Sequence, residues 1–168
     1  MEANGLGELH VFTDGSFDPS TRYGGWAFVV FEDNRLLFHA RGAETGRSNN
    51  SLEVLAVLQA VKWLSDYAPD RIATLWTGSA HVVDGCLRWR AIWRNNGWKR
   101  TERNPRARRR TIADAGLWQE LDVLLGPEPS VRVTWCKGHV NNPGNDYAHS
   151  LAQPGTVLPE LPMQFERS

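Results

Sequence analysis

Several side chains of this chain fall where an α/β protein gathers its chemistry. Asp14 follows the alternating stretch Leu9 to Thr13, and Glu53 lies in the first turn of an apolar-periodic stretch that begins after Ser48. His139 follows a second alternating stretch, Val131 to Cys136, by way of Lys137 and Gly138, with Asn145, Asp146 and His149 beyond it. Ligands of open α/β sheets collect outside the carboxyl ends of the strands, so residues at these places share one rim. Taken singly, each has an ordinary role. A turn aspartate caps its own loop, an acid in a first turn gains about 0.3–1 kcal/mol from the helix dipole, and a loop histidine is commonly structural. A histidine directed at the same rim as two carboxylates forms a titratable cluster and is a candidate site.

A second feature lies in the charge. Lys and Arg total 19 and Asp and Glu total 19, so the chain is neutral overall. Ten of the basic residues nevertheless fall between Cys86 and Arg110, opposed there by Glu102 alone. Trp89, Trp93 and Trp98 are interleaved with them, the first two spaced to share one helix face. Phosphates require charge, and exposed sugars or bases require a flat apolar partner, so cations beside aromatic planes suit a nucleic-acid backbone. The competing role for the tryptophans is anchorage to the core, and the two roles are compatible.

The elements that must position these residues are legible in the periodicity. Strands are expected at Leu9 to Thr13, ended by a turn at Asp14-Gly15-Ser16, then at Trp26 to Glu32 and Leu36 to Ala40. Ser48 to Ser51 supplies N-cap chemistry for a helix ending near Tyr67. A strand at Ile72 to Thr77 and a helix from His81 to Trp93 follow, with Asn95-Asn96-Gly97 as its stop. A helix at Asp114 to Leu125, a strand at Val131 to Cys136, a turn at Asn141 to Gly144 and a helix at Asp146 to Ala152 complete the series. Three antiparallel strands followed by two parallel ones, with helices between, make an α/β fold: a five-stranded mixed sheet with helices on both faces. Residues 1–153 are expected to form one domain, and the proline-punctuated residues 154–168 a poorly ordered tail.

Composition narrows the class. A length of 168 residues suits one domain. The longest apolar run is far short of a membrane span, and two cysteines, Cys86 and Cys136, are too few for a disulfide framework. The first eight residues carry two acids and no basic region leading into an apolar stretch, unlike a signal peptide. A soluble, cytoplasmic, monomeric protein that does not engage a membrane is expected.

The ordered series Thr13-Asp14-Gly15-Ser16, Gly24-Gly25-Trp26, Ser48-Asn49-Asn50-Ser51-Leu52-Glu53, Thr77-Gly78-Ser79, Trp89, Trp93, Gly97-Trp98-Lys99, Leu117-Trp118, Lys137-Gly138-His139 and Asn145-Asp146 resembles type 1 ribonuclease H over roughly residues 8 to 152. The resemblance implies the ribonuclease H-like fold and hydrolysis of the RNA strand of an RNA/DNA hybrid. It implies a site in which four acids hold two Mg²⁺ ions while a mobile histidine assists proton transfer or product release. Two hard cations can activate a water on one side of a phosphate and stabilise the leaving oxygen on the other, and carboxylates are their natural ligands. Carried over by position, the acids are Asp14 and Glu53 and the mobile histidine is His139. Ser48, Asn49 and Asn50 would lie at the minor groove. Trp89, Trp93, Trp98, Lys99 and Arg100 would grip the backbone.

The chain departs from that pattern at two ligand positions. The third acid is replaced by Gly78 and the fourth by His149. Glycine cannot bind a metal, and imidazole suits Mn²⁺ or Zn²⁺ better than Mg²⁺. One Mg²⁺ or Mn²⁺ ion on Asp14 and Glu53 is expected, with His149 and Asp146 offering a weak second site. Three readings follow: a hydrolase of RNA/DNA hybrids with impaired chemistry, a hybrid-binding protein that has lost cleavage, and a structural or partner-binding module.

Overall fold

The computed structural model describes residues 7–46, 48–99, 112–127, 129–136 and 143–153. Strands β1 (Leu9–Asp18), β2 (Tyr23–Glu32) and β3 (Arg35–Thr45) form an antiparallel meander, and β4 (Ala73–Thr77) and β5 (Val131–Trp135) lie parallel to β1. The sheet order is β3-β2-β1-β4-β5, so the chain leaves the meander at its edge and returns beside β1. Helix α1 (Asn49–Tyr67) makes that crossover, and α4 (Ala115–Leu125) precedes β5. Helices α2 (Ala80–Asp84) and α3 (Arg90–Asn95) flank a π-helical turn, Gly85–Trp89, and α5 (Pro143–Ala152) closes the described chain. None of the described helices is long and apolar enough to cross a membrane.

Alternation along the strands divides the core in two. Leu9, Val11, Phe28, Val30 and Leu75 face α1, α2 and α4 with Val54, Val57, Leu58, Val61, Trp118 and Leu121. Phe12, Ala27, Val29 and Phe31 face α5 with Tyr147, Ala148 and Leu151. Helices therefore cover both faces, as the element pattern requires.

The structure differs from the sequence reading in strand length, β2 beginning at Tyr23 rather than Trp26 and β3 running on to Thr45 rather than ending at Ala40, and at three further places. The expected break at Asp14-Gly15-Ser16 is absent: β1 continues to Asp18, because Gly15, Ser16 and Phe17 pair with Trp26, Gly25 and Gly24 of β2. Cross-strand bonding holds extended a tetrapeptide whose local chemistry favours a turn. The single helix expected from His81 to Trp93 is instead interrupted by the π turn. A side chain on Gly85 would collide with the Trp118 ring, so the wider turn and the missing Cβ together admit a buried indole. Pro143 and Gly144, expected in a turn, belong to α5. Residues 154–168, for which poor order is expected, lie outside the described residues, as do residues 141–142.

The contact that positions the site is between β1 and α1. A Cβ on Gly15 would lie 2.5 Å from the backbone nitrogen of Glu53 and 2.5 Å from the carbonyl carbon of Leu52. Only glycine lets the first turn of the helix rest on the strand. Gly15→Ala should lower stability by about 1–3 kcal/mol through overpacking, read as a lower urea midpoint with an unchanged m-value.

Candidate active site

Asp14 stands at the carboxyl half of β1, and Glu53, expected in the first turn of α1, is instead in its second, because the helix begins at Asn49 after Ser48, which caps it by accepting from the Ser51 backbone nitrogen at 3.2 Å. The rim between them is fixed by hydrogen bonds across the strand ends. Thr13 Oγ1 donates to the Trp76 carbonyl at 3.1 Å, the Ser79 backbone nitrogen donates to Thr77 Oγ1 at 3.1 Å, and the Cys136 backbone nitrogen donates to the Thr77 carbonyl at 2.7 Å. The result is a cavity of about 360 Å³ lined by Asp14, Gly15, Ser16, Phe17, Asn49, Glu53, Gly78, Cys136, Asn145, His149 and Gln153. A larger cavity, about 630 Å³, lies between α1 and α4, away from these carboxylates. The smaller one carries the titratable cluster and is the candidate site.

Glu53 is buried, and burial, then the neighbouring Asp14 charge, then its hydrogen bond to Asp14, raise its carboxyl from the ordinary 4.5 to about 8, against a lowering contribution from a Gly15 backbone hydrogen bond. Burial and the Asp14 charge thus favour the protonated form of Glu53. Its Oε2 is buried and finds no hydrogen-bond partner among the described residues. Asp14 is also held from the other side, where His149 Nδ1 lies 2.7 Å from Asp14 Oδ2 and forms an ion pair when the imidazole is protonated. The His149 side chain is half exposed, at 50%.

The structure thus brings Asp14, Glu53, Asn49 and His149 to one cavity. Gly78 is there too: a Cβ placed on it meets only the Cys136 carbonyl, at 3.8 Å, so the position could take a side chain. Asp146 is exposed and does not line the cavity, whereas its neighbour Asn145 does. His139 and Arg100 lie outside the described residues. Asn145, Cys136 and Gln153 also line the cavity, beyond the residues that the motifs single out. The signal for Asn145 was in the Asn145-Asp146 motif, while that for Cys136 was only its place at the end of β5.

The tryptophans divide between two tasks. Trp93 and Trp98 are partly buried against the core, Trp93 edge-on to Trp118 with ring centroids 5.4 Å apart. Trp89 stacks on Trp93 at 6.2 Å and is exposed, with the Arg88 guanidinium 4.7 Å above its ring. Lys99 is exposed. Trp89, Arg88, Arg94 and Lys99 are therefore the exposed aromatic and cationic side chains of the described basic segment.

The donor set fits one divalent cation better than two. Two carboxylates converge, and the buried Glu53 Oε2 lacks a partner that a cation could provide. No group of three or more His, Cys, Asp or Glu side chains arranged to hold a metal occurs among the described residues. Gly78→Asp should fold and raise Mn²⁺ affinity at least about tenfold by adding a third carboxylate, as measured by titration calorimetry.

Glu53 also sets a pH dependence. The unfolded carboxyl releases its proton near 4.5 and the folded one only near 8, so the chain takes up a proton on folding between those values. Its stabilising contribution is full below pH 4.5 and is lost as the pH rises through 8. In chelator, the melting temperature of the parent should fall relative to Glu53→Gln across that window. Parallel profiles would refute the assignment.

Comparison with known proteins agrees with this geometry. The RNase H family model matches residues 7–156. The ribonuclease H of Polynucleobacter asymbioticus is 34% identical over 145 residues, covering 86% of this chain and 87% of that protein. That of Nitrobacter hamburgensis is 32% identical over 161 residues, covering 96% and 99%. Among solved structures, LC9-RNase H1, described as a type 1 RNase H with the type 2 active-site motif, superposes with a TM-score of 0.72 at 24% identity, covering 90% of this chain and 74% of that one. The RNase H domain of prototype foamy virus gives 0.73 at 20% identity, covering 90% and 96%. With Asp14 and Glu53 joined at the rim of this five-stranded sheet and the match running nearly end to end, the chain belongs to the ribonuclease H family.

Proposed function

We propose that this protein binds RNA/DNA hybrids and hydrolyses the RNA strand slowly, with one divalent ion at Asp14 and Glu53. The observation that carries the reading is the convergence of these two carboxylates in an open cavity whose third ligand position is Gly78. Among its structural neighbours, the foamy viral protease-reverse transcriptase is known in complex with RNA/DNA hybrid.

Asp14 and Glu53 would hold the ion, which supplies charge stabilisation at the phosphate and a more acidic bound water. To hold the ion, Glu53 would give up the proton that its burial favours. Asn49, at the cavity edge and in the first turn of α1, is placed to meet the groove of the bound duplex. Trp89, Arg88 and Lys99 bind its backbone, and His139 moves the proton to or from the leaving group. If each ion lowers the barrier by several kcal/mol, loss of one costs on the order of 10³ in rate.

A second reading, hybrid binding without cleavage, is favoured by the His149 contact, which occupies Asp14 from within the protein. Cleavage of a labelled hybrid in Mg²⁺ and then Mn²⁺ separates the two. On the first reading the parent cuts slowly, Asp14→Asn does not cut, and the double variant Gly78→Asp, His149→Asp cuts at least about a hundredfold faster. Cutting by the double variant alone supports the second reading. Hybrid affinity that does not fall with salt would refute both.

A further inference from the structure

Asp122 is an acid in the midst of the basic segment's packing surface. It lies on α4, is buried, and accepts from Arg90 Nη1 at 2.7 Å and from Arg94 Nη1 at 2.9 and 3.1 Å. Arg90 is buried as well. Its Nε donates to the Cys86 carbonyl at 2.8 Å and its Nη2 to the Gly126 carbonyl at 2.8 Å. One guanidinium thus joins its own helical segment, a side chain of α4 and the carbonyl just past the end of α4. The planar fork of arginine makes that three-way geometry possible, and an ammonium could not reproduce it.

Of the four described cations between Cys86 and Lys99, Arg90 is therefore buried in the protein, and Arg94, though exposed, also reaches Asp122. The remaining contact between this helical segment and α4 is apolar: Trp118 fills the space beside Gly85 and meets Trp93. Ring contacts allow sliding, whereas a fork on a buried carboxylate sets register. Arg88 and Trp89 lie in the π turn immediately before Arg90, so their direction follows from how Arg90 is seated.

We infer that Asp122 is a positioning residue of the nucleic-acid grip: with Arg90 and Arg94 it seats the helix that presents the Arg88 and Trp89 pair to a duplex. The inference rests on the proposed hybrid binding. It opposes what charge alone dictates, since removing an anion from a basic surface should tighten binding to phosphates.

The test compares the parent, Asp122→Asn and Arg90→Lys in binding a labelled RNA/DNA hybrid over a range of salt concentrations, below the melting temperature of each. Positioning requires both variants to bind about five- to tenfold more weakly, with the slope of log affinity against log salt reduced by about one, as phosphate contacts are lost. Charge alone requires Asp122→Asn to bind more tightly and Arg90→Lys, which keeps its charge, to bind as the parent does. The inference is overturned if either folded variant matches or exceeds the parent in affinity. Should Asp122→Asn fail to fold, Arg90→Lys decides, because lysine still neutralises the buried carboxylate. A parent that does not bind the hybrid refutes the proposed function instead.

Discussion

The packing of the first turns of α1 on the β1 backbone at Gly15 is the constraint on which the site depends. It places the Glu53 main chain against the strand that carries Asp14, and so brings two carboxylates together in one cavity. Like charges at such range cannot both persist without a cation or a proton. Here, the Glu53 carboxyl is held well above the ordinary range and Asp14 lies within hydrogen-bond distance of His149.

Two neighbours of the carboxylate pair complete the local picture. Gly78 leaves open space beside Asp14 and Glu53, and His149 pairs with Asp14 from α5. On the proposed reading, a glycine and an imidazole at these places make the repulsion that favours cation uptake weaker than further carboxylates would.

The basic segment shows the same economy of charge. Its net excess is what an encounter with a polyanion requires, yet part of it serves to hold the segment in place. Arg90 is donor to two carbonyls and a carboxylate, all inside the protein. A buried pair of this kind contributes little net stability compared with an apolar pair of equal volume, but breaking it is costly. Its value lies in specifying one arrangement of the helical segment on α4.

The sequence alone determined the sheet, its helices and the ordered motifs, and that Gly78 brings no side chain to the rim. Periods of two and 3.6 residues and residue identity are local properties, and Gly78 cannot carry a carboxylate in any fold. What only the tertiary structure decided concerns partners distant along the chain. The extension of β1 past Gly15 depends on β2, and the π turn at Gly85 on the Trp118 ring more than thirty residues away. The Asp14 and His149 contact spans 135 residues, and Asp122 reaches back to Arg90 across 32. A count of charges reads every arginine of the segment as facing solvent. Which of them turn inward is set by where α4 places its one buried carboxylate, and that depends on packing rather than on local pattern.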